Sequence, residues 1–394
     1  MAVGPEDRVR ILLGGSDVLD IQRYEVSQRF FTVPSAFACR VGSGITIAEL
    51  AKRYPPGTPY ALYVGEVLQH SGKLDGYGPE GSEGASEMNL RGRDAMAPLL
   101  GSFTADRSFS DLSYLQLTTA VLDAAGMSPY SITAGNEANR KGQSNDTKVR
   151  DLLNYEAAVL ARAGLPVFEQ TLVVGQQRVL RAKVGDQYLS FLKKEHAHPG
   201  LFLLAGADEN NFVLTSPNVI QSPTFQLTRQ RGASVNLVTV EDAKHQNDTS
   251  QRHSRYIVYG RGGGGKDGRQ KIRGEFVDQE LVDWKIARDW ADVSDDAKSN
   301  GQAAALAFRR CAEERRQGWS LTYTVQGHTA PLKDAGARRG IWAVDTLVRV
   351  HDDEFGLHED LWLEGVTFRG GPDGTKTELT MLRPRDVAFG DPIP

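Results

Sequence analysis

Residues 319–326 read Trp-Ser-Leu-Thr-Tyr-Thr-Val-Gln. Trp319, Leu321, Tyr323 and Val325 alternate with Ser320, Thr322, Thr324 and Gln326, so one face is apolar and the other carries hydroxyls and an amide. That is the pattern of a half-buried antiparallel strand. The period of two returns at Trp342, Val344, Thr346, Val348 and Val350, again at Trp362, Glu364, Val366 and Phe368, and last at Leu379 and Met381 before Pro384. Four consecutive strands predict a meander. Gly370, Gly371, Pro372, Asp373 and Gly374 supply the positive-φ positions and the fixed φ of a hairpin turn, and the acidic segment 352–359, closed by Gly356, makes the other connection.

Upstream of these strands lies a well-marked helix, 299–317. Ser299 caps the amides ahead of Gln302, the apolar stripe is Ala304, Phe308, Cys311 and Ala312, and Gly318 ends it. Arg309 with Glu313 and Arg310 with Glu314 stand at helical spacing on the expected solvent side. The spacing predicts a helix packed on a twisted sheet.

The start of the chain is also β-rich. Val9 to Leu13 leads into Gly14 and Gly15; Tyr24, Val26, Gln28 and Phe30 alternate with charged residues; Phe37, Cys39 and Val41, Tyr60 to Val67, and Met88 with Leu90 follow. Residues 72–84 are glycine-dense and acidic and are expected to form a loop, and Asp94 is placed to cap a short helix over 95–100. A closed or nearly closed small β-barrel accounts for this segment. From Asp111 the period becomes helical, with Leu112, Leu115, Thr119 and Leu122 on one face before Gly126, and with Val149 to Ala163 before Gly164 and Pro166. Residues 135–146 read as loop, a helix is expected over 186–197, and Leu201 to Leu204 with Phe212 to Thr215 read as a hairpin. Strands return at Phe225 and Leu227, Val235 to Val240, and Tyr256 to Tyr259, with a polar excursion over 241–255. The fold class is therefore α+β and mainly β: β-barrel domains at 1–102 and 218–394, the second carrying the 299–317 helix, separated by an α+β insertion at 103–217.

A chain of 394 residues is too long for one core, and 40% hydrophobic with 24% charged residues and 41 glycines is the composition of a folded, turn-rich protein. A formal net charge of -4 gives no general reason to expect nucleic-acid binding. Cys39 and Cys311 are far apart and lack metal-ligand spacing, so buried free thiols are expected. No run approaches the roughly 18 apolar residues of a membrane span. Residues 1–10 carry Glu6 and Asp7 and no apolar core, so no secretory peptide is expected and the Asn145 and Asn247 sequons lack a secretory context.

Each motif with possible chemistry has a plainer explanation. Gly260, Gly265 and Lys266 satisfy most of a P-loop, but Asp267 stands where a hydroxyl should meet magnesium. A basic hairpin loop explains them better. His196 and His198 are two apart near a helix end and diverge; His351, Asp352, Asp353, Glu354, His358 and Glu359 are dense but lie in a turn and match no calcium loop. Trp342, Trp362 and Phe368 could stack sugars, although strand spacing favours core. Lys333, Arg338, Arg339 and Arg349 make a basic strip that could face an acidic partner or simply be solvated. No nucleophile elbow or paired carboxylates stand out, so no catalytic, cofactor or metal site is expected, and an enzymatic role is not.

The order of segments resembles the baseplate hub proteins of contractile-tailed bacteriophages, specifically the Mu-like tail protein P group. The matching positions are Val9 to Gly15, Leu90 to Asp94, Val184 to Thr215, Arg309 to Arg316, Tyr323 to Gly327, Gly340 to Trp342, Val348 to Asp352, Leu361 to Phe368 and Leu379 to Pro384. The resemblance implies two tube-type β-barrels per subunit and a homotrimer forming a pseudo-sixfold ring, which adapts the hexameric tail tube to the trimeric central spike. It also implies tube or tube-initiator protein above, spike below, wedge proteins around, no membrane, and DNA only in transit through a lumen. The location would be the virion tail baseplate, assembled in the host cytoplasm. A lumen that is in part acidic or polar would not retain passing DNA. The alternatives are a tail-associated cell-wall or glycan-degrading enzyme and a nucleotide-binding assembly factor.

Overall fold

The computed structural model describes residues 8–18, 21–42, 47–82, 85–134, 173–174, 179–197, 201–208, 210–219, 222–230, 238–260, 272–295, 297, 299–332 and 339–387. The α+β, mainly β class holds. Most strands join one long sheet, and its seam is the strand Leu357–Gly371. One edge of that strand pairs from Trp362 to Gly371 with Gly374–Leu382. The other edge is divided: its first part pairs with Leu347–Asp352, and from Gly365 onward it pairs with Ile21–Arg29 of the N-terminal region. From there the ladder continues through Ala36–Gly42, Ala85–Asp94, Val67–Ser82, Pro59–Val64 and Val9–Leu13. Among the described residues no ladder closes the N-terminal strands on themselves; they run into the C-terminal ones.

A single apolar layer lies beneath both halves. Val26, Phe37, Leu62, Met88 and Leu90 belong to the same cluster as Leu321, Tyr323, Val366, Phe368 and Leu379. At the seam Tyr24 and His328 are hydrogen-bonded at 2.6 Å, and His328 continues to the Thr377 hydroxyl at 2.9 Å. These bonds satisfy polar atoms that burial would otherwise leave stranded. All residues from Leu361 to Phe368 are buried, and at Leu361 to Leu363 the seam strand has a core on each face, Trp362 in one and Leu361 with Leu363 in the other.

The strand Trp319–Gln326 forms as its alternation requires, and so does the hairpin 371–374, with Gly374 at φ +94. The meander does not. Trp319–Gln326 lies beside Gly374–Leu382, so the order is first, fourth, third, second, a Greek-key arrangement. The reason is the connection after Gln326: it contains a small hairpin of its own, Thr329–Pro331 with Arg339–Ile341, and carries the chain to the far side of the last hairpin. Trp342 and Val344 lie outside any strand, and the chain turns at Asp345, φ +65, before Leu347.

Two segments expected to be loops are strands. Val67–Ser82 pairs with Ala85–Asp94, with an irregularity between Leu74 and Gly76. Gly72 is required there, since a Cβ would overlap the Arg93 carbonyl. Val240–Asn247 pairs with Trp319–Gln326 as an edge strand exposed on nearly all its length, so it has no apolar alternation to read.

The helix Asn300–Gly318 is capped by Ser299, whose hydroxyl accepts from the Gln302 amide at 3.2 Å. The sheet it covers is a small one, Arg255–Gly260 between Arg273–Val277 and Asp289–Ser294, and the layer between them holds Tyr256, Val258, Ala303, Ala307 and Cys311. Helix and sheet approach so closely at Gly274 that a Cβ there would overlap the Ala304 backbone. Glu313 and Glu314 are buried, contrary to the solvent side expected for them. Glu314 pairs with Arg310 as the helical spacing implies, and it also accepts from the Tyr256 hydroxyl at 2.6 Å, a buried use for its charge that the spacing alone does not reveal.

The segment between the β regions has a separate core of Leu99, Phe103, Leu117, Val121, Leu192 and Leu214 among others. Its first helix, Tyr114–Ala124, is capped by a reciprocal Ser113–Gln116 box and buries Leu117 and Val121 rather than Leu115 and Thr119. The hairpin of Phe202–Ala205 with Asn211–Thr215 forms as read, and gains a parallel third strand, Ser131–Ala134. The helix read at 149–163 and the loop at 135–146 lie outside the described residues.

Candidate functional site

The surface with most built-in chemistry is the outward face of the long sheet. Cross-strand partners put side chains on the same side, so rows can be followed from one half into the other. One runs Gln326, Lys376, Arg369, Glu25, Ala38, Arg91, Gly76. The next runs Asp242, Thr324, Glu378, Thr367, Ser27, Ala36, Arg93, Lys73. Neither row contains an apolar residue larger than alanine. The carboxylates are paired: Glu25 and Glu378 with Arg369 at 3.0 and 2.7 Å, Asp75 with Arg93 at 2.6 Å, Glu87 with Arg40 at 2.9 Å. On the N-terminal side Arg23, Arg40, Arg91, Arg93 and Lys73 outnumber Glu25, Asp75 and Glu87, so this part of the face is polar and cationic, not acidic.

Two buried carboxylates fasten the central segment to the sheet. Asp94 accepts from the Ser35 amide at 2.7 Å and the Met96 amide at 2.8 Å, where the N-terminal strands end. Burial raises its carboxyl above the ordinary range against those hydrogen bonds. Asp345 accepts from the Asn218 amide at 2.6 Å and the Trp362 indole at 3.0 Å, where the C-terminal region begins. Burial lifts it to about 7, opposed by the same two donors. A third buried carboxylate, Asp278, is held between Arg315 at 2.6 Å and Arg252 at 2.8 Å. Burial alone would raise it, and the guanidiniums outweigh that and hold it below its usual range.

The residues singled out in the sequence do not converge. Lys266 and Gly265 lie outside the described residues, as do His198 and the His196 side chain. Asp352 is fully buried and accepts from the Glu354 and Phe355 amides and from the Tyr323 hydroxyl, so it builds the turn. His351 and His358 face each other with ring centres 5.7 Å apart, and His358 approaches Asp353 at 3.7 Å. Among the described residues no three His, Cys, Asp or Glu side chains are grouped as metal ligands. Trp342, Trp362 and Phe368 are core, not a sugar platform. Arg339 is bonded to Thr329 and Arg349 is held bidentate by Asp360, so both are used internally; Lys333 and Arg338 are outside the described residues. Cys39 and Cys311 are buried free thiols, both pushed up to about 12 by burial.

No family model matches the sequence, and no curated protein matches it. Solved structures do. A 43 kDa tail protein of prophage MuSo2 from Shewanella oneidensis superposes with a TM-score of 0.71 over 96% of this chain and 98% of its own, at 16% identity. The chain has the fold of a prophage tail protein. A tail protein from Neisseria meningitidis has the same tail-protein fold, with a TM-score of 0.71, 95% of both chains covered and 18% identity. An Escherichia coli component of the type VI secretion system, described as structurally similar to bacteriophage T4 tail proteins, matches at 0.56 with 11% identity over 98% of this chain and 80% of its own. The likeness read from spaced positions between Val9 and Pro384 is thus met at the level of fold.

The arginine-bearing half of the outward face was missed in the sequence. Its signal was present as the alternation Arg23, Glu25, Ser27 and Asn89, Arg91, Arg93. What no single strand reveals is that these stretches lie side by side.

Proposed function

We propose that the chain is the structural baseplate hub of a contractile phage tail. Three copies form a pseudo-sixfold ring in the virion baseplate, meeting the hexameric tube or its initiator above, the trimeric spike below and wedge proteins around it, after assembly in the host cytoplasm. The observation that carries this is the tail-protein fold extending over nearly the whole of both chains. The division into 1–102, 103–217 and 218–394 belongs to the same proposal: two β regions per subunit supply six units from three copies.

Two features support the ring. The long sheet ends at the exposed Val240–Asn247 strand on one side and at Val9–Leu13 with the short Ser16–Asp17 on the other, edges that pairing between subunits would cover. The two rows followed across its outward face hold no apolar side chain larger than alanine, which suits the wall of a water-filled bore. The role is structural, with no turnover.

Light scattering and negative-stain images of the purified chain test it. The expected result is a particle of three times the 43.1 kDa chain mass with an annular outline. Monomers at every concentration, together with release of fragments from purified peptidoglycan, would replace it with the enzymatic reading.

A further inference from the structure

We propose that the depression lined by Arg23, Arg40, Arg91 and Arg369 binds the phosphodiester backbone of a nucleic-acid strand, without reading its sequence. The depression is open, about 450 Å³ in volume, and has Ala38 as its floor. Ala38 is flanked in its row by Glu25 and Arg91, so the dip is the gap left by one short side chain among long ones.

The arginines are arranged at a cost. Arg23 and Arg40 are direct cross-strand partners, and like charges so placed repel. Arg369 is taken up by Glu25 and Glu378, and Arg40 by Glu87 and Asn89. Arg23 and Arg91 are exposed and make no ion pair or hydrogen bond among the described residues. An anion laid across the depression would relieve the Arg23–Arg40 repulsion and give both unpartnered guanidiniums a counter-charge.

The form of the site favours a chain of phosphates. Backbone amides of these strands are engaged in the ladder, so they cannot form a nest around one enclosed anion. The cations are instead distributed over adjacent strands and two rows, which suits successive charges on a polymer. Tyr24, Cys39 and Leu90 lie beneath the surface, so no exposed aromatic or aliphatic anchor is offered for a protein partner to grip. Interfaces with nucleic acid are more polar and more positively charged than those between proteins. Further strands flank the depression on both sides, so a ligand arrives face-on and a neighbour docking on a free edge leaves it open. The whole groove belongs to one chain, so its test does not depend on the ring.

Fluorescence anisotropy with short labelled single-stranded and duplex DNA of arbitrary sequence tests the proposal on the full chain. Two or three neutralised phosphates predict weak binding that falls about 10- to 40-fold between about 50 and about 200 mM salt. The double variant Arg23→Gln/Arg91→Gln should lose about tenfold or more in affinity at low salt and flatten the salt slope by about two. Arg107→Gln/Arg181→Gln removes the same charge from exposed positions of the central segment and should change neither. Circular dichroism of both variants checks that they fold. Absence of binding at low salt, equal losses in the two variants, or displacement by polyglutamate as effective as by unlabelled DNA would each overturn it.

Discussion

The two halves of the long sheet have one ladder and one interior but different outward faces. On the C-terminal side the hydroxyls and amide of Ser320, Thr322, Thr324, Gln326 and Thr380 stand beside the paired charges Lys376, Glu378 and Arg369; on the N-terminal side Arg23, Arg40, Arg91 and Arg93 present guanidiniums, two of them without a carboxylate among the described residues. The interiors are interchangeable in kind: Tyr323, Leu379 and Phe368 continue into Val26, Phe37 and Leu90. Packing constrains the inside closely, because any void or overlap costs stability, whereas a wet strand face accepts many polar residues at little cost. The chemistry of such a sheet is therefore set on the side that stability leaves free.

If the halves are one cooperative unit, damage at the seam should reach both. Phe368 is fully buried there, opposite Val26 and edge-on to His328. Phe368→Ala should cost about 3–5 kcal/mol, with amide protection lost from N-terminal and C-terminal strands in the same urea transition. Two separate transitions would divide the sheet into independent halves.

One part of the pH response should come from Asp345 in the C-terminal half. Asp345 has a folded carboxyl near 7, raised from 3.8, so between those values the folded protein holds a proton that the unfolded chain has released. Its contribution is fully present below the unfolded value and is lost as pH rises through about 7. Asp345→Asn, whose amide oxygen can keep both donors and whose backbone tolerates the positive φ, should flatten that fall, by on the order of 2–4 kcal/mol across the range. Denaturation midpoints measured from pH 4 to 8 check it.

A smaller loss, about 1–3 kcal/mol, is expected from Gly274→Ala, which forces the 300–318 helix off its small sheet. Hydrogen exchange should show it confined to 255–318, with the N-terminal strands unaffected. Smallest of all should be Thr322→Val and Thr324→Val on the hydroxyl face, each within about 0.5 kcal/mol by thermal melting. A large change there would mean that the outward face is not free.

Where one face of a strand is buried and the other wet, the element was legible: Trp319–Gln326, Ile21–Arg29 and Ala36–Gly42 all follow from period two. Where burial is two-sided or absent the pattern fails. Leu361 to Phe368 is the strand read there, but it is buried throughout and an irregularity between Leu363 and Gly365 sends Trp362 to a different core from Val366 and Phe368; Val240–Asn247 is wet on both faces, and Val67–Ser82 is carried by glycines. Asp278 also escaped notice and Glu314, though paired with Arg310, was placed on the wet side, because burial of a charge is recognisable only with Tyr256, Arg252 and Arg315 in view.

The sequence by itself determined the half-buried strands, the capped helix, the buried thiols and the α+β, mainly β class, since each depends on residues near one another along the chain. Only the tertiary structure decided that Trp319–Gln326 crosses to the far side of the last hairpin, that Leu357–Gly371 joins the two ends of the chain, and that four arginines from distant segments share one depression. Those facts are pairings between strands separated by up to hundreds of residues. Alternation states which side of a strand is wet, but it does not say which strand lies next to it.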